Sequence, residues 1–186
     1  MDILKKRSVA ILLSLLIVLG STAATVSSKI SKASNAVTKT FYDGVNHSGY
    51  MHKSIASQLN QILVSADGLV TIASNYGLNT SDVTASCRNL KAALSEYADD
   101  IGDIYELYDD LMRASNALIY DLQGQELSER DASGFSQYIG VLDGANGVIS
   151  EAGYNEAVRE FCDDNSGLLE SVFVELLDID LPETFS

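Results

Sequence analysis

The stretch VTASCRNLKAALSEYADDIGDIYELYDDLMRASNALIYDL, residues 83–122, decides the fold class. Twelve of its positions keep an unbroken 4-3 spacing: Val83, Cys87, Leu90, Leu94, Tyr97, Ile101, Ile104, Tyr108, Leu111, Ser115, Leu118 and Leu122. Only Ser115 among them is plainly polar. A helix that buries one narrow seam has this period, and a strand does not. Read as one element rising ~1.5 Å per residue, it spans roughly 60 Å and predicts a rod.

The same spacing recurs upstream at Ile55, Leu59, Ile62, Ala66, Leu69, Ala73 and Tyr76. Gly77 then stands where a left-handed helix C-cap belongs, and Asn79 to Asp82 supply capping groups for the next helix. Ser128 with Asp131 three residues on forms a capping box for a last helix. Its seam runs Phe135, Tyr138, Leu142, Ala145, Ile149, Ala152, then slips phase to Tyr154, Val158, Phe161, Leu168, Val172 and Leu176. Gly144, Gly147 and Gly153 lie around the slip and predict a bend or a close helix approach there, since each weakens a helix by roughly 1 kcal/mol relative to Ala. The expectation is an all-α, elongated antiparallel bundle of about four helices: one ending near Phe41, then 50–76, 81–122 and 128–178.

Charge narrows the function classes. Of the 26 acidic residues, 25 follow position 40, against six Lys or Arg, a net charge near −19 for that region. Such a surface repels nucleic acid and anionic headgroups and suits a basic partner or loosely held cations. Cys87 and Cys162 form no metal-binding pattern and read as two packed thiols, with a disulfide as the alternative in an oxidising compartment.

At the N-terminus, Lys5, Lys6 and Arg7 precede Val9–Leu19, in which only Ser14 is polar, and no charge follows until after Val26. This reads as a cleavable signal ending near Ser21–Ala24 or as a short membrane anchor. The 4-3 spacing continues straight out of the apolar run through Val26, Ile30, Ala33, Val37 and Thr40, which favours a retained anchor feeding into the bundle. The division is therefore residues 1–26 as anchor and 27–186 as acidic bundle. Lys5, Lys6 and Arg7 form the tighter basic cluster, so the bundle is expected outside the cytoplasm at a single-pass cell membrane location.

The run Tyr154-Asn155-Glu156-Ala157-Val158-Arg159-Glu160-Phe161 resembles the signature of the LemA family. A short N-terminal membrane segment, long helices and the ending Leu181-Pro182-Glu183-Thr184-Phe185 agree with that family's layout. Cys162 departs from the pattern, and the region His52–Leu59 lacks the family's proline-containing motif. The resemblance implies a membrane-anchored helical bundle and assigns no catalytic residue.

Candidate sites are few. Asp43, His47 and His52 come nearest to a ligand set, but a loop histidine and a seam-end histidine do not make a zinc site. Glu96, Asp99, Asp103, Glu106 and Asp110 form an acidic stripe read as a solvated face, or as a docking stripe for a basic partner. Tyr154, Asn155 and Arg159 are the signature trio the resemblance singles out: they read first as structural, with Arg159 expected to bond a neighbouring helix's carboxylate, and as interaction residues lining a binding pocket in the alternative. No Ser or Cys stands beside a plausible base, and no phosphate loop is present, so neither an enzyme, a cofactor, a metal nor a small-molecule substrate is expected. The reading is a scaffold that binds membrane or envelope proteins or itself, with Tyr97, Tyr108 and Ser115 as an oligomerisation seam. A ligand- or cation-responsive envelope sensor is the alternative.

Overall fold

The computed structural model describes residues 2–47, 50, 51, 53–95, 100–167, 174–176, 179 and 181–186; side chains at 2–13, 15, 16, 19 and 46–51 lie outside it. The order is α1 (Asp2–Asp43), a two-residue antiparallel ladder β1 (Asn46–His47) and β2 (Tyr50–Met51), α2 (Ile55–Asn75), α3 (Ser81–Ser95), α4 (Ile101–Gln123), α5 (Glu129–Ser150) and α6 (Tyr154–Asp164). The chain is an all-α bundle, as its periodicity requires.

The seams are buried as expected. Ile55, Leu59, Ile62, Ala66, Leu69 and Ala73 face inward, as do Val83, Cys87, Leu90, Leu94, Ile101, Ile104, Tyr108, Leu111, Ser115, Leu118 and Leu122. Each large aliphatic side chain so buried stabilises the fold by about 1.5–3 kcal/mol relative to exposure.

The second of these seams does not belong to one 60 Å helix. It is divided between α3 and α4, which pack side by side. Asp100, at φ −83° and ψ 89°, stands outside the helix, and its carboxylate accepts the Asp103 amide as the N-cap of α4. Both helices of this hairpin turn their apolar face to the same core, so the 4-3 count runs through the reversal unbroken. With α4 about 35 Å long at 1.5 Å per residue, the bundle is a packed body rather than a rod.

α2 is the central helix, packed against α5 on one side and against α3 and α4 on the other. That explains its wide buried face, which includes Gln58, Ser65 and Ile72 outside the seam. The closest approach lies at Gly68 and not at the glycines expected. A Cβ at Gly68 would fall 2.3 Å from the Tyr138 ring, whereas Gly144 and Gly147 have open space beside them. Gly153 does make the expected break: its φ of 70° separates α5 from α6 and produces the phase slip.

Helix ends follow local rules. Gly77 has φ 69° after α2, and Ser128 caps α5 by accepting the Asp131 amide at 3.2 Å. The Tyr76 hydroxyl ties the two ends together, accepting Ser128 N–H at 2.8 Å and donating to Asp131 at 3.0 Å.

α1 changes character along its length. Ile30, Ser34 and Phe41 are buried and Val37 partly so, while Ala33 is exposed, which rotates the docking face slightly from the expected Val26–Thr40 seam. Before Ile30 the helix leaves the bundle, and Ile17 and Val18 are 67% and 62% exposed. Among the described residues no helix is long and apolar enough to cross a membrane. Most side chains of the Val9–Leu19 run lie outside the description, so its expected role as an anchor is not carried by the fold.

Candidate interaction cleft and tail clasp

Where α1 ends, α6 begins. Phe41 at the end of α1 meets the ring of Tyr154, the first residue of α6, edge-on at 5.5 Å between centroids. Tyr105 and Tyr108 reach the same point from the first turns of α4. Phe185, near the C-terminus, completes the cluster, with centroids 5.6 Å from Phe41, 5.1 Å from Tyr105 and 5.4 Å from Tyr108. Its ring is 5% exposed. Edge-on and tilted pairs of this kind add about 0.5–1.5 kcal/mol each to the area buried.

The residues around Phe185 are held as a peptide. Tyr154 Oη donates to the Glu183 carbonyl at 2.8 Å. Asn155 uses its carboxamide twice: Nδ2 donates to the Phe185 carbonyl at 3.0 Å, and Oδ1 accepts the Phe185 amide at 2.7 Å. Glu183 Oε2 accepts Gly102 N–H at 3.0 Å. A carboxylate there satisfies a free donor in the first turn of α4 and sits at the positive end of its dipole. Pro182 is buried beside Phe185, while Glu183 and Ser186 face solvent.

A half-open cleft of about 430 Å³ adjoins the clasp. Tyr105, Tyr108 and Phe185 form aromatic walls, and Asn146, Glu151, Glu156 and Arg159 supply polar groups around the mouth. Tyr108 Oη donates to Asn146 Oδ1, which fixes both side chains. Burial raises the Tyr108 and Tyr154 hydroxyl pKa values, with neighbouring Tyr105 and Asp109 adding for the first and Glu183 and Tyr42 for the second. Both phenols therefore stay protonated donors at neutral pH.

Of the residues singled out from the sequence, Tyr154, Asn155 and Arg159 all line this cleft. Among the described residues Arg159 bonds no neighbouring helix's carboxylate; Nε donates to the Asn155 carbonyl of its own helix at 3.1 Å. Its exposed position over the cleft mouth accounts for that. Tyr108 and Ser115 are buried within the chain at 8% and 0% exposure, so they offer no oligomerisation seam, and Tyr97 lies outside the described residues. The reversal between α3 and α4 removes the overhanging stripe on which that expectation rested.

Asp103, Glu106 and Asp110 are exposed as expected, with Asp110 and Asp109 paired to Arg113; Glu96 and Asp99 lie outside the description. Among the described residues no three His, Cys, Asp or Glu are grouped to hold a metal, and the His47 side chain and His52 lie outside them. Both cysteines are free. Cys87 is buried as expected, and burial, reinforced by the Asp67 carboxylate that accepts its hydrogen bond, pushes its pKa up to about 12. Cys162 is exposed rather than packed.

Sequence reasoning missed Tyr105, Asn146 and Glu151 as cleft residues. Tyr108 and Asn146 are 38 positions apart, and no spacing rule connects them.

The chain matches no family model, no curated protein and no solved structure.

Proposed function

We propose that this chain is a membrane-anchored helical-bundle module of the cell envelope that works by binding proteins, other membrane components or further copies of itself, and not by catalysis. The observation that carries the reading is the division of α1. One helix docks through Ile30, Ser34 and Phe41, yet exposes Ile17 and Val18 where it leaves the bundle. An apolar helix projecting into solvent needs a cover, and the uncharged run from Ser8 to Val26 has about the minimum length for a membrane to provide one. The Lys5–Arg7 cluster favours a bundle outside the cytoplasm. From Val26 to Phe41 the helix rises about 22 Å, so the cleft would stand clear of the headgroups.

Two of the stretches on which the resemblance to the LemA family was read, Tyr154–Phe161 and the Pro182–Phe185 ending, are joined through Tyr154 and Asn155. Divergent membership of that family is part of the proposal.

Trypsin treatment of intact cells tests it, with the membrane-fraction protein weighed beforehand. Full-length mass, with loss of a tag fused after Ser186 to protease added outside the cells, is the expected result. A chain short by its first two dozen residues would sink the anchor, and protection at full length would reverse the orientation.

A second reading, a solute- or cation-responsive sensor, draws on Glu151 and Glu156 at the cleft mouth. It expects a rise in melting temperature with one particular ion or solute.

A further inference from the structure

Three charged side chains line the cleft, and none of them is neutralised. Glu151, Glu156 and Arg159 form no ion pair among the described residues, whose pairs are Lys39 with Asp43 and Arg113 with Asp109 and Asp110. Glu156 and Arg159 stand three residues apart on α6, a spacing at which opposite charges pair on an ordinary helix. Here Arg159 Nε is turned to the Asn155 carbonyl instead, and its terminal nitrogens have no partner among the described residues. Arg159 is also the only basic residue among those lining the cleft, in a region where six Lys or Arg face 25 acids. Carboxylates are near at hand, yet none is taken.

Behind these charges lies an apolar wall. The rings of Tyr105, Tyr108 and Phe185 touch one another, with centroids 5.1, 5.4 and 6.0 Å apart, and all three line the cleft. Rings packed this closely leave no space between them for a cation, as an aromatic cage for a quaternary ammonium requires. They offer one continuous surface on which a ring or an aliphatic group can lie.

We infer that this cleft binds a free α-amino acid with an aromatic or large apolar side chain. The ligand carboxylate takes the open fork of Arg159, the geometry in which a guanidinium holds a carboxylate best. The ammonium takes Glu151 and Glu156, and the side chain lies on the ring wall. A simple cation would leave Arg159 unpaired, and a simple carboxylate would leave both glutamates so; a zwitterion satisfies all three. The volume of about 430 Å³ lies towards the small end of the range for small-molecule sites. This rests on the solute-responsive reading and names its class of solute; it does not need the anchor. Because Phe185 belongs to the wall, an occupied cleft also holds the docked tail in place.

Titration calorimetry on the full-length protein in detergent tests the inference with three probes. They are L-phenylalanine, N-acetyl-L-phenylalanine, which lacks the ammonium, and L-phenylalanine amide, which lacks the carboxylate. Phenylalanine should bind at least about fivefold more tightly than either capped form, a modest factor because the charges stand at an exposed mouth. Arg159→Gln should weaken phenylalanine by a similar factor without weakening the amide. Glu151→Gln with Glu156→Gln should weaken phenylalanine without weakening the N-acetyl form. All three side chains are exposed, so both variants should keep the wild-type melting temperature. Saturating phenylalanine should also slow hydrogen exchange at the Phe185 amide. No saturable binding up to about 10 mM phenylalanine would overturn the inference. So would equal affinity for the three probes, unchanged affinity in both variants, or binding that leaves the Phe185 amide as it was. A melting temperature raised by calcium or magnesium but by none of the probes would overturn it while leaving the sensor reading standing. Failure of the anchor shows separately, in the mass of the membrane-fraction protein.

Discussion

Replacing Asn155 with Ala removes both hydrogen bonds that hold Phe185, at 2.7 and 3.0 Å, from a single side chain. A neutral hydrogen bond contributes about 0.5–1.5 kcal/mol net, so the pair is worth about 1–3 kcal/mol. Because these bonds hold the 183–185 stretch against α6 and not the α2 core, that loss should fall on docking of the tail and not on the whole bundle. At 1.4 kcal/mol per factor of ten, the population of undocked tail rises by roughly 5- to 150-fold. Native-state amide exchange reads this directly: the Phe185 amide should exchange faster by that factor. Amides in the middle of α2, such as those of Ile62 and Leu69, should keep their wild-type rates, since local opening and global unfolding are separate events. An unchanged Phe185 rate would show that Asn155 holds nothing. Equal acceleration at Ile62 and Leu69 would show that the tail is not a separable unit.

Gly68→Ala sets helix propensity, worth about 1 kcal/mol in favour of Ala, against overpacking of the Tyr138 ring, worth about 1–3 kcal/mol. It should destabilise the wild type and stabilise a Tyr138→Ala background in urea titrations; the same sign in both would refute the close approach. An alkylating reagent should label Cys162 in the folded protein and reach Cys87 only on unfolding, which peptide mass mapping decides. The Cys87 pKa, up from an ordinary 9.0 to about 12 in the fold, also sets a pH dependence. The unfolded chain loses that proton first, so stability is fully present below pH 9.0 and declines as pH rises towards 12. A Cys87→Ala variant should lack this part of the decline. Ser115 is fully buried, and its hydroxyl has no hydrogen-bond partner among the described residues. Ser115→Ala should therefore be neutral or stabilise by about 1 kcal/mol in the same titrations, and a loss above about 2 kcal/mol would reveal a partner.

Periodicity made the helical class and most of the buried helical positions legible, because a side chain's face on a helix depends on residue spacing, though the second buried face of α2, at Ala56, Leu63 and Ile72, was not. The caps at Ser128 and Gly77 were legible too, since the groups that satisfy a helix end are its sequence neighbours. Spacing could not show that the 83–122 seam folds back on itself. A reversal between Leu94 and Ile101 leaves both halves facing the same core, and periodicity records which face is apolar but not which way the axis runs. The glycine that matters for packing, Gly68, looked ordinary because its meaning is supplied by Tyr138, 70 residues later. The site divides the same way. Tyr154, Asn155 and Arg159 stood out through a resemblance, but what Tyr154 and Asn155 hold is a peptide about 30 residues on. Local rules determine elements and their faces; the juxtaposition of Phe41, Tyr105, Tyr108, Tyr154 and Phe185 exists only once the helices have packed, because aromatic contact depends on distance in space and not on separation along the chain.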